Sequence, residues 1–293
     1  MWIARNVEAT LSFRKAPTDV NAANKSKQIG LHNLPHLVLD TGLNFSGKLT
    51  GIPGSMKPRK VLASTTTPDG QGMTLSLHAG DYTIDIDGLG LMSTRAPGSE
   101  KALADLAALE LTGKRQPRVL IGGLGLGFTL GAALDALPRG ASVVVVEFFQ
   151  VIVDWNRKFR FEPEADRLAD PRVVVEVVDI VDYLQNAKEP FDAILLDVDN
   201  GPDSWCLKSN ARLYSHTGLL RIQRVLKPGG VLAIWSTQGS PAFEKQLAEI
   251  GFATRTKRVS SHGRKGDRYT IFLAQLREKK GKPKENKRSG RRC

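Results

Sequence analysis

Three carboxylates in this chain each close an apolar run, where a ligand could meet them. Glu147 follows Val143–Val146, Asp179 follows Val177-Val178, and Asp197 follows Ala193–Leu196. Ahead of them, Val119-Leu120-Ile121 runs into Gly122-Gly123-Leu124-Gly125-Leu126-Gly127. Closely spaced glycines after a strand let backbone approach a ligand and open a helix whose first amides face it. Gly122, Gly123, Gly125 and Gly127 are therefore the expected binding glycines. The dinucleotide pattern G-x-G-x-x-G fails, because its last position falls on Phe128 counted from Gly123 and on Leu130 counted from Gly125.

The acids then divide the chemistry among themselves. Glu147, twenty residues after Gly127, can accept hydrogen bonds from two ribose hydroxyls. Asp179 can accept from an adenine amino group while the Ile180 amide meets a ring nitrogen, although an aspartate here is equally a good helix cap. In Asp197-Val198-Asp199-Asn200-Gly201-Pro202, two acids one residue apart suit holding and deprotonating a cationic amine. The plainer alternative is a pair of loop-capping acids. Tyr214 and His262 are weaker substrate-contact candidates, since aromatic and basic residues at such places more often pack or face solvent. No Cys/His spacing suggests a metal.

Elements that could position these residues alternate after Pro117. Strands are expected at 118–121, 143–147, 173–179, 193–197 and 231–236. Helices are expected at 128–137, 151–160, 181–186, 212–226 and 242–250. Apolar strands between amphipathic helices specify a parallel sheet covered on both faces. Two final strands, 254–259 and 269–274, flank a basic Gly-containing turn and imply an antiparallel last strand. Before Pro117, a helix is expected over Ser99–Leu111 with Ser99 as its cap. Short strands at Met73–His78 and Tyr82–Asp87, separated by turn residues, form a small antiparallel unit. The expected fold is thus α/β, a Rossmann-like methyltransferase-type sheet, mostly parallel, with a small N-terminal β unit and disordered ends. Its divisions fall at 1–55, 56–98, 99–276 and 277–293. Residues 1–55 are read as a poorly ordered extension, even one that precedes a true start at Met56.

Bulk properties narrow the partners. The net charge is +12, but residues 1–60 carry +6 and residues 277–293 carry +7, which leaves the body at −1. A nearly neutral body offers no docked nucleic-acid face, so non-specific contact through the basic tail is all that is expected. The two cysteines, Cys206 and Cys293, make no disulfide framework and fit a reducing, cytoplasmic setting. No apolar run reads as a membrane span or secretory signal.

Taken together, the glycine loop, Glu147, Asp179, Asp197, the lead-in Asp87-Gly88-Leu89-Gly90-Leu91-Met92-Ser93-Thr94-Arg95, Leu213-Tyr214 and the Leu226-Lys227-Pro228-Gly229-Gly230 turn resemble the spermidine synthase-like branch of the S-adenosylmethionine methyltransferase superfamily. The resemblance spans roughly Asp81 to Ala274. It implies ribose binding at Glu147, adenine contact at Asp179, amine activation at Asp197, and a small β unit often used in oligomerisation, so that a homodimer is allowed. The chain departs from that pattern in three places. Leu124, Gly125 and Leu126 stand where an aspartate is usual, Glu100 and Lys101 where a Tyr-Gln pair is usual, and Asp199 follows Asp197 by two residues instead of three.

Three functions follow as expectations. The first is aminopropyl transfer from decarboxylated S-adenosylmethionine to a small-molecule amine. The second is methyl transfer from intact S-adenosylmethionine to a small molecule, protein or RNA, favoured by the missing loop aspartate. The third is a non-catalytic nucleoside- or RNA-associated protein.

Overall fold

A computed structural model describes residues 58–161, 166–198, 201–202, 211–262 and 265–277. The extension at 1–55, Asp199 and the tail beyond Arg277 lie outside the described residues. The described residues from Arg59 to Arg277 group as one compact unit.

The chain first forms four antiparallel strands, β1 (Lys60–Thr66), β2 (Gly72–His78), β3 (Asp81–Ile86) and β4 (Leu89–Ser93), paired in chain order. Helix α1 (Gly98–Leu109) leads to β5 (Arg118–Gly122), α2 (Phe128–Ala136), β6 (Ser142–Glu147) and α3 (Gln150–Phe159). Then come β7 (Val173–Val177), α4 (Ile180–Asn186), β8 (Phe191–Leu196), α5 (Ala211–Tyr214) and α6 (His216–Val225). The chain closes with β9 (Leu226–Ser236), α7 (Pro241–Glu249), β10 (Phe252–His262) and β11 (Lys265–Leu276). The second sheet has seven strands in the order β10-β11-β9-β8-β5-β6-β7. Strands β5 to β9 run parallel, whereas β11 is antiparallel to both of its neighbours. That is the expected antiparallel last strand.

Side chains that alternate along each strand build two cores. Val119, Ile121, Val143, Val145, Ala193, Leu195, Val231, Ala233 and Trp235 face one way, against α1, α2 and α3. Leu120, Val144, Val146, Ile194, Leu196, Leu232 and Ile234 face the other, against α4, α6 and α7. Both faces are apolar, which is why the strands read as unbroken runs. Met73, Leu75 and Ile84 of the small sheet belong to the first core, so the four-stranded unit packs as a cover on that face.

Local chemistry accounts for where the elements differ from expectation. Ser99 does not cap α1. Pro97 holds the cap position without a side-chain bond, and the Ser99 hydroxyl donates instead to the Glu100 carboxylate at 2.6 Å. The expected helix over 212–226 is two, because Ser215 accepts from the Gly218 amide at 3.1 Å and so starts α6 afresh. The strand expected to reach Asp179 stops at Val177, since Asp179 accepts from the Val181 amide at 2.7 Å and caps α4. Lys227-Pro228-Gly229-Gly230, read as a turn, lies within β9, and the β8–β9 register shifts between Phe191 and Ala193.

One acid pins the edge of the sheet opposite the glycine loop. Asp192, 3% exposed, accepts from Lys114 Nζ at 2.7 Å, Lys227 Nζ at 2.7 Å and the Arg118 amide at 2.8 Å. Burial alone would raise its pKa, but these three donors outweigh it and hold the carboxyl below its usual range. Asp192→Asn is expected to cost on the order of 2–4 kcal/mol in denaturant unfolding, a discounted range because both lysines reach solvent. The difference should be full above the unfolded pKa of about 3.9 and vanish as pH falls through the depressed folded value. Equal stability at pH 7 and pH 2.5 would refute it.

Candidate active site

The ends of β5, β6 and β8 meet at the glycine loop. The Gly123 amide donates to the Val146 carbonyl at 2.8 Å, and the Asp197 amide donates to the Gly122 carbonyl at 2.9 Å. Gly123, Gly125 and Gly127 have φ of 87°, 54° and 88°, the left-handed region that other residues avoid. A Cβ on Gly123 would overlap the Asp197 carbonyl oxygen, and one on Gly125 would lie 3.3 Å from the Met92 sulfur of β4. The small sheet therefore touches the loop directly. From α3, the Asn156 amide group donates to the Gly125 carbonyl at 2.8 Å.

Glu147 ends β6 and is buried. Its two carboxylate oxygens accept from the Leu124 amide at 3.0 Å and the Phe149 amide at 2.9 Å. Burial raises its pKa, while the Phe149 and Leu124 amides work in the opposite direction. One acid thus orders the loop and stands beside it. Phe148, the next residue, is an exposed aromatic packed edge-on against Phe149. Asp179 caps α4 and lies 3.7 Å from Arg212 Nη2, and Ile180 is buried against Gly122.

Asp197 continues β8 on the face that carries Ala193 and Leu195. The Thr129 hydroxyl donates to its carboxylate at 2.6 Å. Burial and the neighbouring Glu100 carboxylate push its pKa up to about 7, against the Thr129 hydrogen bond. Glu100, in the first turn of α1, is itself raised by burial. Neither acid forms an ion pair with a described residue. Tyr269 of β11 borders the same acids: burial, then Asp267 and Glu100, raise its phenol. Its ring stacks on Trp235 at 4.9 Å.

The structure thus brings Gly122, Gly123, Gly125, Gly127, Glu147, Asp179, Ile180 and Asp197 to one edge of the sheet. Asp199 lies outside the described residues. His262 is exposed at the end of β10, on that same edge, 3.3 Å from the Ser261 hydroxyl. Tyr214 is buried in the second core, edge-on to Phe243. Thr129, Tyr269 and Asn156 were not legible as site residues, being ordinary members of helices and a strand. Glu100 had one signal, an acid where the resembled pattern has none.

The strand order and the acids at the strand ends define a Rossmann-like fold of the methyltransferase type. Residues 100–259 match the Spermine/spermidine synthase domain, and the chain belongs to that family. Polyamine aminopropyltransferases of Mycobacterium tuberculosis and Mycobacterium bovis are each 34% identical to it over 134 residues, 44% of this chain and 24% of theirs. The matched segment spans about a quarter of the length of those relatives. Among solved structures, a spermidine synthase in complex with a transition-state analogue superposes with a TM-score of 0.59 at 18% identity, covering 74% of this chain and 73% of that one. The spermidine synthase of Thermotoga maritima gives 0.57 at 17% identity, covering 74% and 72%. At these identities the likeness is one of fold.

Among the described residues no helix is long and apolar enough to cross a membrane.

Proposed function

We propose that the chain transfers an aminopropyl group from decarboxylated S-adenosylmethionine to a small-molecule amine. The observation that carries this reading is Asp197, a carboxylate without a cationic partner among the described residues, held by Thr129 directly beside the glycine loop. Curated relatives named as polyamine aminopropyltransferases support it. The glycine loop fits a nucleoside by its place, at the end of a buried parallel strand and opening α2, where backbone amides can approach a ligand. Glu147 stands beside the loop with its carboxylate oriented by the Leu124 and Phe149 amides, and a ribose hydroxyl is its proposed partner. Asp179 caps α4 with one carboxylate oxygen and presents the other, 3.7 Å from Arg212 Nη2, to an adenine amino group.

An alkyl ammonium with a pKa near ~10 must lose its proton before it can attack. Asp197, whose pKa of about 7 leaves it largely ionised just above neutrality, accepts that proton. Attack of the amine nitrogen then forms the C–N bond, and the C–S bond breaks to leave a neutral thioether. Parallel calorimetric titration of the full chain with S-adenosylmethionine, its decarboxylated form and methylthioadenosine tests the reading, followed by turnover with 1,4-diaminobutane. Methylthioadenosine should appear only when both the decarboxylated co-substrate and the diamine are present. Binding of intact S-adenosylmethionine alone, with methyl transfer, would replace it by the methyltransferase reading.

A further inference from the structure

We propose that Glu100 is a second acid of the acceptor site, acting with Asp197 to select a cationic amine and to share its charge. The inference rests on the transferase reading above and deepens it. Glu100 enters the site because α1 is pressed against the end of β10: a Cβ on Gly98 would overlap the Ser261 carbonyl oxygen. That close approach sets the first turn of α1 near the C-terminal ends of β8 and β9 and the N-terminal end of β11. Thr129 of α2 ties the Asp197 carboxylate to the first turn of α1, donating to that carboxylate at 2.6 Å and lying 3.4 Å from the backbone carbonyl oxygen of Glu100.

A second, independent feature marks ligand space here. Trp235 is 6% exposed and its indole N–H has no hydrogen-bond partner among the described residues. It follows the Leu196–Ile234 pairing by one residue, level with Asp197 and on the same face of the sheet. A buried donor left open on the strand position level with Asp197 calls for a ligand or water to complete it.

Charged and titratable groups around the pair are few. Lys101, next to Glu100, extends over the Phe128 ring with its ammonium 5.5 Å from the centroid. Asp267 and Tyr269 come from β11, and His262 from the end of β10. Glu100 is close enough to raise the Asp197 carboxyl by its charge, and neither acid has a neutralising cation among the described residues. They resolve this by retaining a proton, which burial favours. An incoming ammonium brings a positive charge to the pair, and the retained proton leaves to solvent as it binds. The amine's own proton then passes to the vacated carboxylate before the C–N bond forms, so each proton is accounted for.

Glu100→Gln keeps the size of the side chain and removes its charge. Calorimetric titration with 1,4-diaminobutane, in the presence of methylthioadenosine, compares this variant with the wild type, and Glu100→Asp serves as the conservative rescue. Diamine affinity should fall at least tenfold in Glu100→Gln and partly recover in Glu100→Asp, with methylthioadenosine affinity unchanged within twofold as proof of folding. The proton released on diamine binding at pH 6.5, read from the buffer dependence of the heat, should diminish. In the ligand-free protein the Asp197 carboxyl signal, followed by carbon NMR, should titrate at lower pH in Glu100→Gln. Unchanged diamine affinity and an unchanged Asp197 titration would overturn the role of Glu100 while leaving amine transfer standing. Absence of diamine binding in the wild type, with methylthioadenosine bound normally, would overturn both.

Discussion

Asp197→Asn is expected to lower turnover by roughly 10²–10⁴ while nucleoside affinity changes by less than about twofold, the reach of a lost general base. The substitution keeps the Thr129 hydrogen bond, because the amide oxygen still accepts, and it keeps the backbone link from the Asp197 amide to Gly122. Only the basic charge goes. Wild-type turnover should rise with pH through about 7 as this carboxyl ionises, and that rise should be missing in the variant. Stability should move the other way. A carboxyl with a raised folded pKa binds its proton more tightly in the folded state, so the wild type loses stability between about pH 4 and pH 7, where the unfolded chain ionises this group and the folded one keeps its proton. The asparagine variant escapes that loss and should be the more stable protein at pH 8. A variant that loses nucleoside affinity but keeps turnover at saturation would move Asp197 out of the acceptor chemistry.

The second large effect is expected at Gly123→Ala. Two costs combine there: φ of 87° is unfavourable for any residue with a Cβ, and the added carbon would overlap the Asp197 carbonyl oxygen. Backbone cannot swing aside as a side chain can, so the loop must leave its place between β6 and β8. Nucleoside binding should fall by at least 100-fold, and stability by about 3 kcal/mol or more. Gly70→Ala makes the control. Its φ is 88°, but nothing lies within 4 Å of the added carbon. It should therefore cost only the left-handed penalty, about 1–2 kcal/mol, with binding intact. Equal effects at the two positions would show that conformation alone, and not the approach of β8, governs the loop.

Much of this architecture was legible because two periodicities coincide in it. Val119 to Ile121, Val143 to Val146 and Ala193 to Leu196 are apolar without interruption, since each strand is buried on both faces. That pattern separates them from the helices between. The glycines and Glu147 were legible for a related reason: bare backbone and an acid at strand ends have few structural uses. What stayed hidden depends on contacts between distant parts of the chain. Nothing around Thr129 in sequence reveals that its hydroxyl meets Asp197, 68 residues away. Ser99 looked like a cap by type, but its hydroxyl found the adjacent Glu100. Tyr214 was selected as an aromatic near a helix start, and only the packing against Phe243 shows which side of the sheet receives it.

The contact between Met92 and the glycine loop bears on how relatives of this chain can be recombined. The first four strands precede the seven-stranded sheet and look exchangeable, a cap to be traded between family members. Yet β4 supplies the atom that lies over Gly125, and β2 and β3 contribute Met73, Leu75 and Ile84 to the interior beneath α1 and α2. A chimera that borrows another protein's β1 to β4 inherits a different roof for this loop. Grafts made at Gly98 would join two halves of one ligand-facing wall, whereas grafts made at Arg59 would carry that wall across whole.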